Sequence, residues 1–203
     1  MIKEACVETM AQCLAAEKAG ANRLELCAHL ELDGLTPEFE LIERVVSSVT
    51  IPVRVMVRPR AGDFCYSPAE IEDMLQTIET IKSLNVEGVV IGVLRKDGSL
   101  DTKAIQTLAQ AAEKRKVVVH KAIDLTPNPL LSLEQLLDIP EVTSVLTSGG
   151  ARTAEEGREI LHQMVRLAGN RLEIVACGKI TPLNLPILHQ AIHAPSYHGK
   201  QIV

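Results

Sequence analysis

At 203 residues the chain is long enough for one domain with a sizeable core, and slightly short for a complete eight-fold β/α barrel. Its 46% hydrophobic and 23% charged residues are ordinary globular composition, which argues against a disordered chain. A net charge of −5, no run of Lys or Arg, and only two Tyr, two Phe and no Trp argue against nucleic-acid binding, and no apolar stretch approaches a membrane span.

Short apolar runs alternate with amphipathic stretches along the whole chain. The first strand is expected over residues 2–7, followed by a helix over 10–18, a strand over 22–27 and a helix over 38–47. A strand over 51–58 leads to a helix over 68–84, where Ile71, Met74, Leu75, Ile78 and Ile81 recur at helical spacing. Strands over 87–94 and 117–123 flank a helix over 102–114, and a further helix is expected over 130–137. The rest reads as strand 142–147, helix 154–167, strand 172–177, helix 182–192 and strand 196–199. Ser67-Pro68-Ala69-Glu70 and Thr153-Ala154-Glu155-Glu156 each put a hydroxyl before a helix with Glu in its first turn.

Strict β/α alternation implies a parallel sheet, and a count of eight strands favours closure into a TIM (β/α)8-type barrel of the α/β class. No GxGxxG follows the first strand, so no nucleotide cofactor is expected. Without a linker or low-complexity segment, residues 1–203 form one domain. The sequence stops just after strand eight, so the eighth helix is expected to be missing or incomplete, with a neighbouring subunit of a homo-oligomer as one cover for the gap. The N-terminal sequence MIKEACVET lacks a charged-then-apolar signal arrangement, which points to the cytoplasm. Cys6, Cys13, Cys27, Cys65 and Cys177 are odd in number and form no CxxC, so free thiols are expected, the plainest role for each being a small buried residue.

Helix-to-strand connections are short and plain, whereas strand-to-helix connections carry the distinctive chemistry, as at the mouth of a barrel enzyme. Strand parity puts Glu4 with Cys6, Glu25 with Cys27, and Arg58 with Arg60 on inward faces, and His120 ends strand five. One reading is a buried ion-pair cluster that fills the barrel end. The other is a pocket for a small anionic metabolite, phosphorylated or carboxylated. There Arg58, Arg60, Lys179 and the turn Ser148, Gly149 and Gly150 hold the anion, and Glu4, Glu25 or His120 serves as the acid/base. Cys6 and Cys27 lie near the mouth ends of adjacent strands on matching faces, a pair of thiols that suits Cu(I) far better than magnesium.

The segments E-x-C (Glu4, Cys6), A-N-R-L-E-L-C (21–27), D-G-L-T-P (33–37), R-P-R-A-G-D-F-C-Y-S (58–67), H-K-A-I-D (120–124) and L-T-S-G-G (146–150) occur in order over essentially the whole chain. Together they resemble the CutC copper-homeostasis family. The resemblance implies a TIM barrel, a cytoplasmic location, oligomers in some members, and copper tolerance through Cu(I) bound at Cys6 and Cys27. It implies no established reaction, so enzymatic activity stays open. Two departures stand out: many members continue past strand eight with a helical tail, and the strand-seven turn, often Gly-rich, here reads Cys177-Gly178-Lys179, which offers a third thiol at the mouth.

Overall fold

In a computed structural model describing residues 1–203, the alternating segments become β1 (Ile2–Val7), α1 (Met10–Lys18), β2 (Arg23–Leu26), α2 (Phe39–Ser48), β3 (Val53–Met56), α3 (Pro68–Ile81), β4 (Gly88–Ile91) and α4 (Thr102–Ala111). They continue as β5 (Lys116–Val119), α5 (Pro129–Leu137), β6 (Ser144–Thr147), α6 (Arg158–Ala168), β7 (Glu173–Ala176), α7 (Leu185–Ile192) and β8 (Ser196–Gly199). The strands pair in sequence order, all parallel, and β8 pairs back onto β1, closing a TIM-type α/β barrel of eight strands and seven α-helices. None of the helices is long and apolar enough to cross a membrane.

Alternation of side chains divides each strand between two environments. Outward residues such as Leu24, Val55, Val89, Val117 and Val145 are fully buried against Ile42, Ile78, Ile105, Leu133 and Leu161 of the helices, a continuous apolar shell. Each such side chain contributes about 1.5–3 kcal/mol relative to exposure, which makes this shell the main source of stability. Local signals agree with it. Ser67 and Glu70 close a capping box at the start of α3, Thr9 and Gln12 do the same for α1, and Asn128 caps α5 ahead of Pro129.

Helix α6 departs from the sequence expectation by starting at Arg158 rather than residue 154. The Thr153–Glu156 exchange forms, with Glu156 N–H on Thr153 Oγ1 at 3.2 Å and Thr153 N–H on Glu156 Oε2 at 3.1 Å, yet it closes a turn. Ala154 N–H is already bonded to Gly178 O at 2.9 Å, which ties this stretch to the end of β7. Gly157 then passes against the Ser148 carbonyl where a Cβ has no room.

The inward residues at the N-terminal end of the barrel form a charged floor. Arg23 donates to Glu4 and, at 3.0 Å, to Glu173. Arg54 donates to Glu87 at 2.7 Å and to Glu173 at 2.9 Å, and lies 3.5 Å from Glu4. Ser144 and Ser196 donate to the Glu173 carboxylate from β6 and β8. Arg23, Arg54 and Glu4 are all buried, so each charge depends on the others. Burial pushes the Glu4 and Glu173 carboxyls up, but the guanidinium groups of Arg23 and Arg54, with the His198 hydrogen bond at Glu4 and the Ser196 hydrogen bond at Glu173, outweigh it and hold both at about 2.

Replacing Arg54 with Met leaves Glu4, Glu87 and Glu173 with Arg23 as their one remaining guanidinium. Urea denaturation should then show a loss of about 3–5 kcal/mol; a loss below about 1 kcal/mol would reduce the network to the weight of a surface pair. Because both carboxyls fall from an ordinary 4.5 to about 2 on folding, their stabilisation is present above 4.5 and is lost as the pH drops towards 2. Acid titration of the fold should show that loss in the wild type and a shallower one in Arg54→Met.

Candidate functional site

The register of β1 with its two neighbours assembles a site above the floor. Cys6 stands opposite Glu25 of β2, and Glu4 stands opposite His198 of β8. One ligand atom from each of Cys6, Glu25 and Cys27 lies within 4.8 Å of the others, and all three residues are buried. His198 bridges downward and sideways, with Nδ1 2.9 Å from Glu4 Oε1 and Nε2 3.4 Å from Glu25 Oε2. Met56 and Cys177 pack into the same lumen cluster as Cys6 and Cys27, so three thiols and a thioether line one space. All five cysteines are free thiols.

Burial and hydrogen bonding set the protonation of this group. The Cys6 thiol is held well below its ordinary value by a hydrogen bond from Cys27, against burial and with help from His198. The same bond, together with burial, pushes Cys27 well above it, so the pair holds one proton between two sulfurs. Burial pushes Glu25 up to about 8, and its Oε1 has no partner in the protein. Burial works against a charged His198, but the facing Glu25 and Glu4 carboxylates and the Cys6 sulfur hold its pKa well above the usual histidine value. Burial lifts Cys177 to about 12, so it stays a thiol.

The residues marked as an anion clamp are placed differently from that grouping. Arg58 is buried, but its guanidinium donates to the carbonyls of Leu32 at 2.8 Å, Gly34 at 3.0 Å and Gly62 at 3.0 Å, and stacks 4.7 Å above Phe64. It fastens two mouth loops to each other. Arg60 points away from the lumen to Glu70 and Asp63 and lies over Tyr66. The amides of the β6 turn are taken from within the chain: Asp124 accepts from Ser148 N–H and Gly150 N–H, both at 2.9 Å, and Gly149 N–H donates to Thr147 Oγ1. Lys121 neutralises Asp124 at 2.9 Å. Lys179 is exposed at the next turn.

His120 lies in the lumen with Nδ1 accepting from Ala122 N–H at 3.1 Å and its ring 4.8 Å from Phe64. Burial and then the Arg58 charge push it down to about 3, so the ring is neutral and Nε2 carries a hydrogen that meets no acceptor in the protein. Glu4 belongs to the floor and reaches the upper site only through His198.

Sequence reasoning missed His198, Arg23, Arg54 and Glu173. The signal was available: in S-Y-H-G the inward positions are Ser196 and His198, by the parity that singled out Glu4 and Cys6.

Chemically, the upper lumen offers soft sulfur donors, one titratable carboxyl and a cationic imidazole, shielded from solvent. Glu25 is protonated in the fold up to about 8 but ionises at an ordinary 4.5 when unfolded, so its contribution is present below 4.5 and is lost as the pH rises through 8. Thermal denaturation of Glu25→Gln across that window should lose this decline and show a gain in stability at the alkaline end; an unchanged slope would place the ionisation elsewhere.

A family model described as the CutC family matches residues 1–202. A CutC family protein of Pasteurella multocida is 43% identical over 185 residues, covering 91% of this chain and 75% of that protein. A human protein named copper homeostasis protein cutC homolog is 36% identical over 197 residues, covering 97% of this chain and 72% of its own length. Among solved structures, the copper homeostasis protein CutC of Streptococcus agalactiae superposes with a TM-score of 0.93 at 30% identity, covering 100% of both chains. A structure described as a deoxyribose-phosphate aldolase, from Coccidioides immitis, reaches a TM-score of 0.70 at 12% identity over 98% of this chain and 81% of that one, a likeness of fold alone. With the whole-chain family match and these identities, the chain belongs to the CutC family.

Proposed function

We propose that the protein serves copper homeostasis by taking up Cu(I) between Cys6 and Cys27, in the cytoplasm. The observation that carries this reading is the pair of buried sulfurs within 4.8 Å of each other and of the Glu25 carboxyl. Thiolates and thioethers select Cu(I) over harder ions, and Cys177 and Met56 extend the same soft lining. One sulfur of the pair already favours the thiolate, the form that binds metal. A reducing compartment keeps such thiols available, and the names of the relatives point the same way.

The alternative of an enzyme acting on a small phosphorylated or carboxylated metabolite has less support. Both terminal nitrogens of Arg58 are engaged by carbonyls and the turn amides by Asp124, leaving the unpartnered Arg58 Nε, Tyr66 hydroxyl, His120 Nε2 and Glu25 Oε1 as its remaining argument.

Titration of the reduced protein with Cu(I) against a competing chelator tests the reading. Wild type should bind one equivalent. Loss of a group that merely hydrogen-bonds a ligand costs a metal site about 10–100-fold, so removal of both ligands in Cys6→Ser/Cys27→Ser should cost more than about 100-fold. Full stoichiometry at unchanged affinity in the double variant would sink the ligand pair.

A further inference from the structure

Strand register puts a hard carboxylate beside two soft sulfurs. Glu25 and Cys27 are two residues apart on β2 and its extension, so both point into the lumen, and Cys6 stands opposite Glu25 in the pairing of β1 with β2. The result is one carboxylate oxygen and two sulfurs, each within 4.8 Å of the other two. Cu(I) is a soft ion that sulfur satisfies, whereas carboxylate oxygen suits harder ions. A site for Cu(I) alone therefore gains little from Glu25, yet that side chain is buried in the lumen at 2% exposure.

Its partners make the placement more pointed. Glu4, the other deeply buried carboxylate of the lumen, is met by Arg23, Arg54 and His198. Glu25 Oε1 is buried with no hydrogen-bond partner, an unfavourable state for a polar atom. Its other oxygen, Oε2, lies 3.4 Å from His198 Nε2, and His198 Nδ1 lies 2.9 Å from Glu4 Oε1. Carboxylates that bind metal are held in this way, steadied by a polar group behind them while oxygen is left for the ion.

We propose that Glu25 is a third metal ligand, and that Cys6, Cys27 and Glu25 together take a borderline divalent ion, Zn(II), in competition with Cu(I). Glu25 joins the cysteine pair already proposed for Cu(I), a reading on which this one rests, and decides between the two metals. Zn(II) accepts thiolate sulfur and carboxylate oxygen in one tetrahedral shell, with three protein ligands and water in the fourth place. Sulfurs about 2.3 Å and an oxygen about 2.0–2.2 Å from such an ion lie roughly 3.5–3.8 Å from one another. Small side-chain rotations draw the present group to that size. The contacts given up are those the three side chains make with one another and with His198. Cys6, at 8% exposure against 1% for Cys27, is the edge of the group nearest to solvent.

The test is metal binding to the reduced protein, with Zn(II) followed by chelator competition and Co(II) as its spectroscopic stand-in. Wild type should bind one equivalent of Zn(II) that Cys6→Ser/Cys27→Ser loses, and its Co(II) form should show tetrahedral bands with sulfur-to-metal charge transfer. Glu25→Gln keeps the size of the side chain and removes its charge. It should weaken Zn(II) by more than about 100-fold, and Cu(I) by less than the about 10-fold that loss of a supporting group costs a site. Wild type supplies a measurement free of any substitution: excess Zn(II) should lower the apparent Cu(I) affinity, because the two ions share both sulfurs. Unchanged Zn(II) affinity in folded Glu25→Gln, an equal loss of both metals, or Cu(I) uptake indifferent to excess Zn(II) would overturn the proposal. Wild type that binds Cu(I) but no Zn(II) removes the third ligand and leaves the copper reading standing. Zn(II) held through Cys6, Cys27 and Glu25 in a protein that takes no Cu(I) does the reverse.

Discussion

A closed parallel barrel turns every second strand residue into a lumen that only other inward side chains can satisfy, and this chain fills the lower half of that lumen with charge. Isolated burial of any one of Glu4, Arg23 or Arg54 is prohibitive, so the register of the strands and the neutrality of the floor enforce each other. A slip of one residue on β2 would turn Arg23, Glu25 and Cys27 into the apolar shell together. Glu4 occupies the hinge of this arrangement: one oxygen belongs to the guanidinium floor and the other to His198. Through that imidazole the floor is joined to Glu25 and Cys6, so the electrostatics of the sulfur site rest on arginines two layers below it.

Higher in the lumen, potential ligand-binding groups are already engaged by the protein. Asp124 takes the place an external anion would take on the Ser148–Gly150 amides, and Thr147, although it ends β6, points outward to Asp124 and Met164. Gly92 lacks a side chain at the point where the His120 ring lies, so a lumen histidine is admitted in place of a methyl group just past the end of β4. Sulfur lines the rest of this space, from β1 and β3 and from just past the ends of β2 and β7, beside the unpartnered Glu25 Oε1 and His120 Nε2.

Architecture was easier to read from the sequence than depth. β1 and β8 match their expected ends, and parity alone put Glu4 beside Cys6. Parity cannot separate Arg54 from Arg58, which share a face of β3 and its extension. The first becomes floor and the second a loop fastener, because their distance along the strand decides which partners are in reach. The ion-pair cluster weighed from the sequence, with Glu4, Glu25, Arg58, Arg60 and His120, is not the one that forms: of these only Glu4 joins the floor, whose other members are Arg23, Arg54 and Glu173. The Thr153 box misplaced the start of α6 because a capping box reports a local exchange of hydrogen bonds, which a turn satisfies as well as a helix.

The floor also has a history during synthesis. Arg23 finds Glu173 across 150 residues of chain, Arg54 finds Glu173 across 119, and His198 reaches Glu4 across 194. At ribosomal speeds of about 5–20 residues per second, the first of these cations waits roughly 8–30 s for Glu173, with Glu4 the one floor partner that precedes it in the chain. Throughout that interval the half-made sheet has two open edges and carries guanidinium groups on the face that will become its interior. Those charges keep the nascent edge strands hydrated and poorly suited to pairing with a neighbouring chain, so the network that locks the finished barrel also acts as a gatekeeper against aggregation before closure.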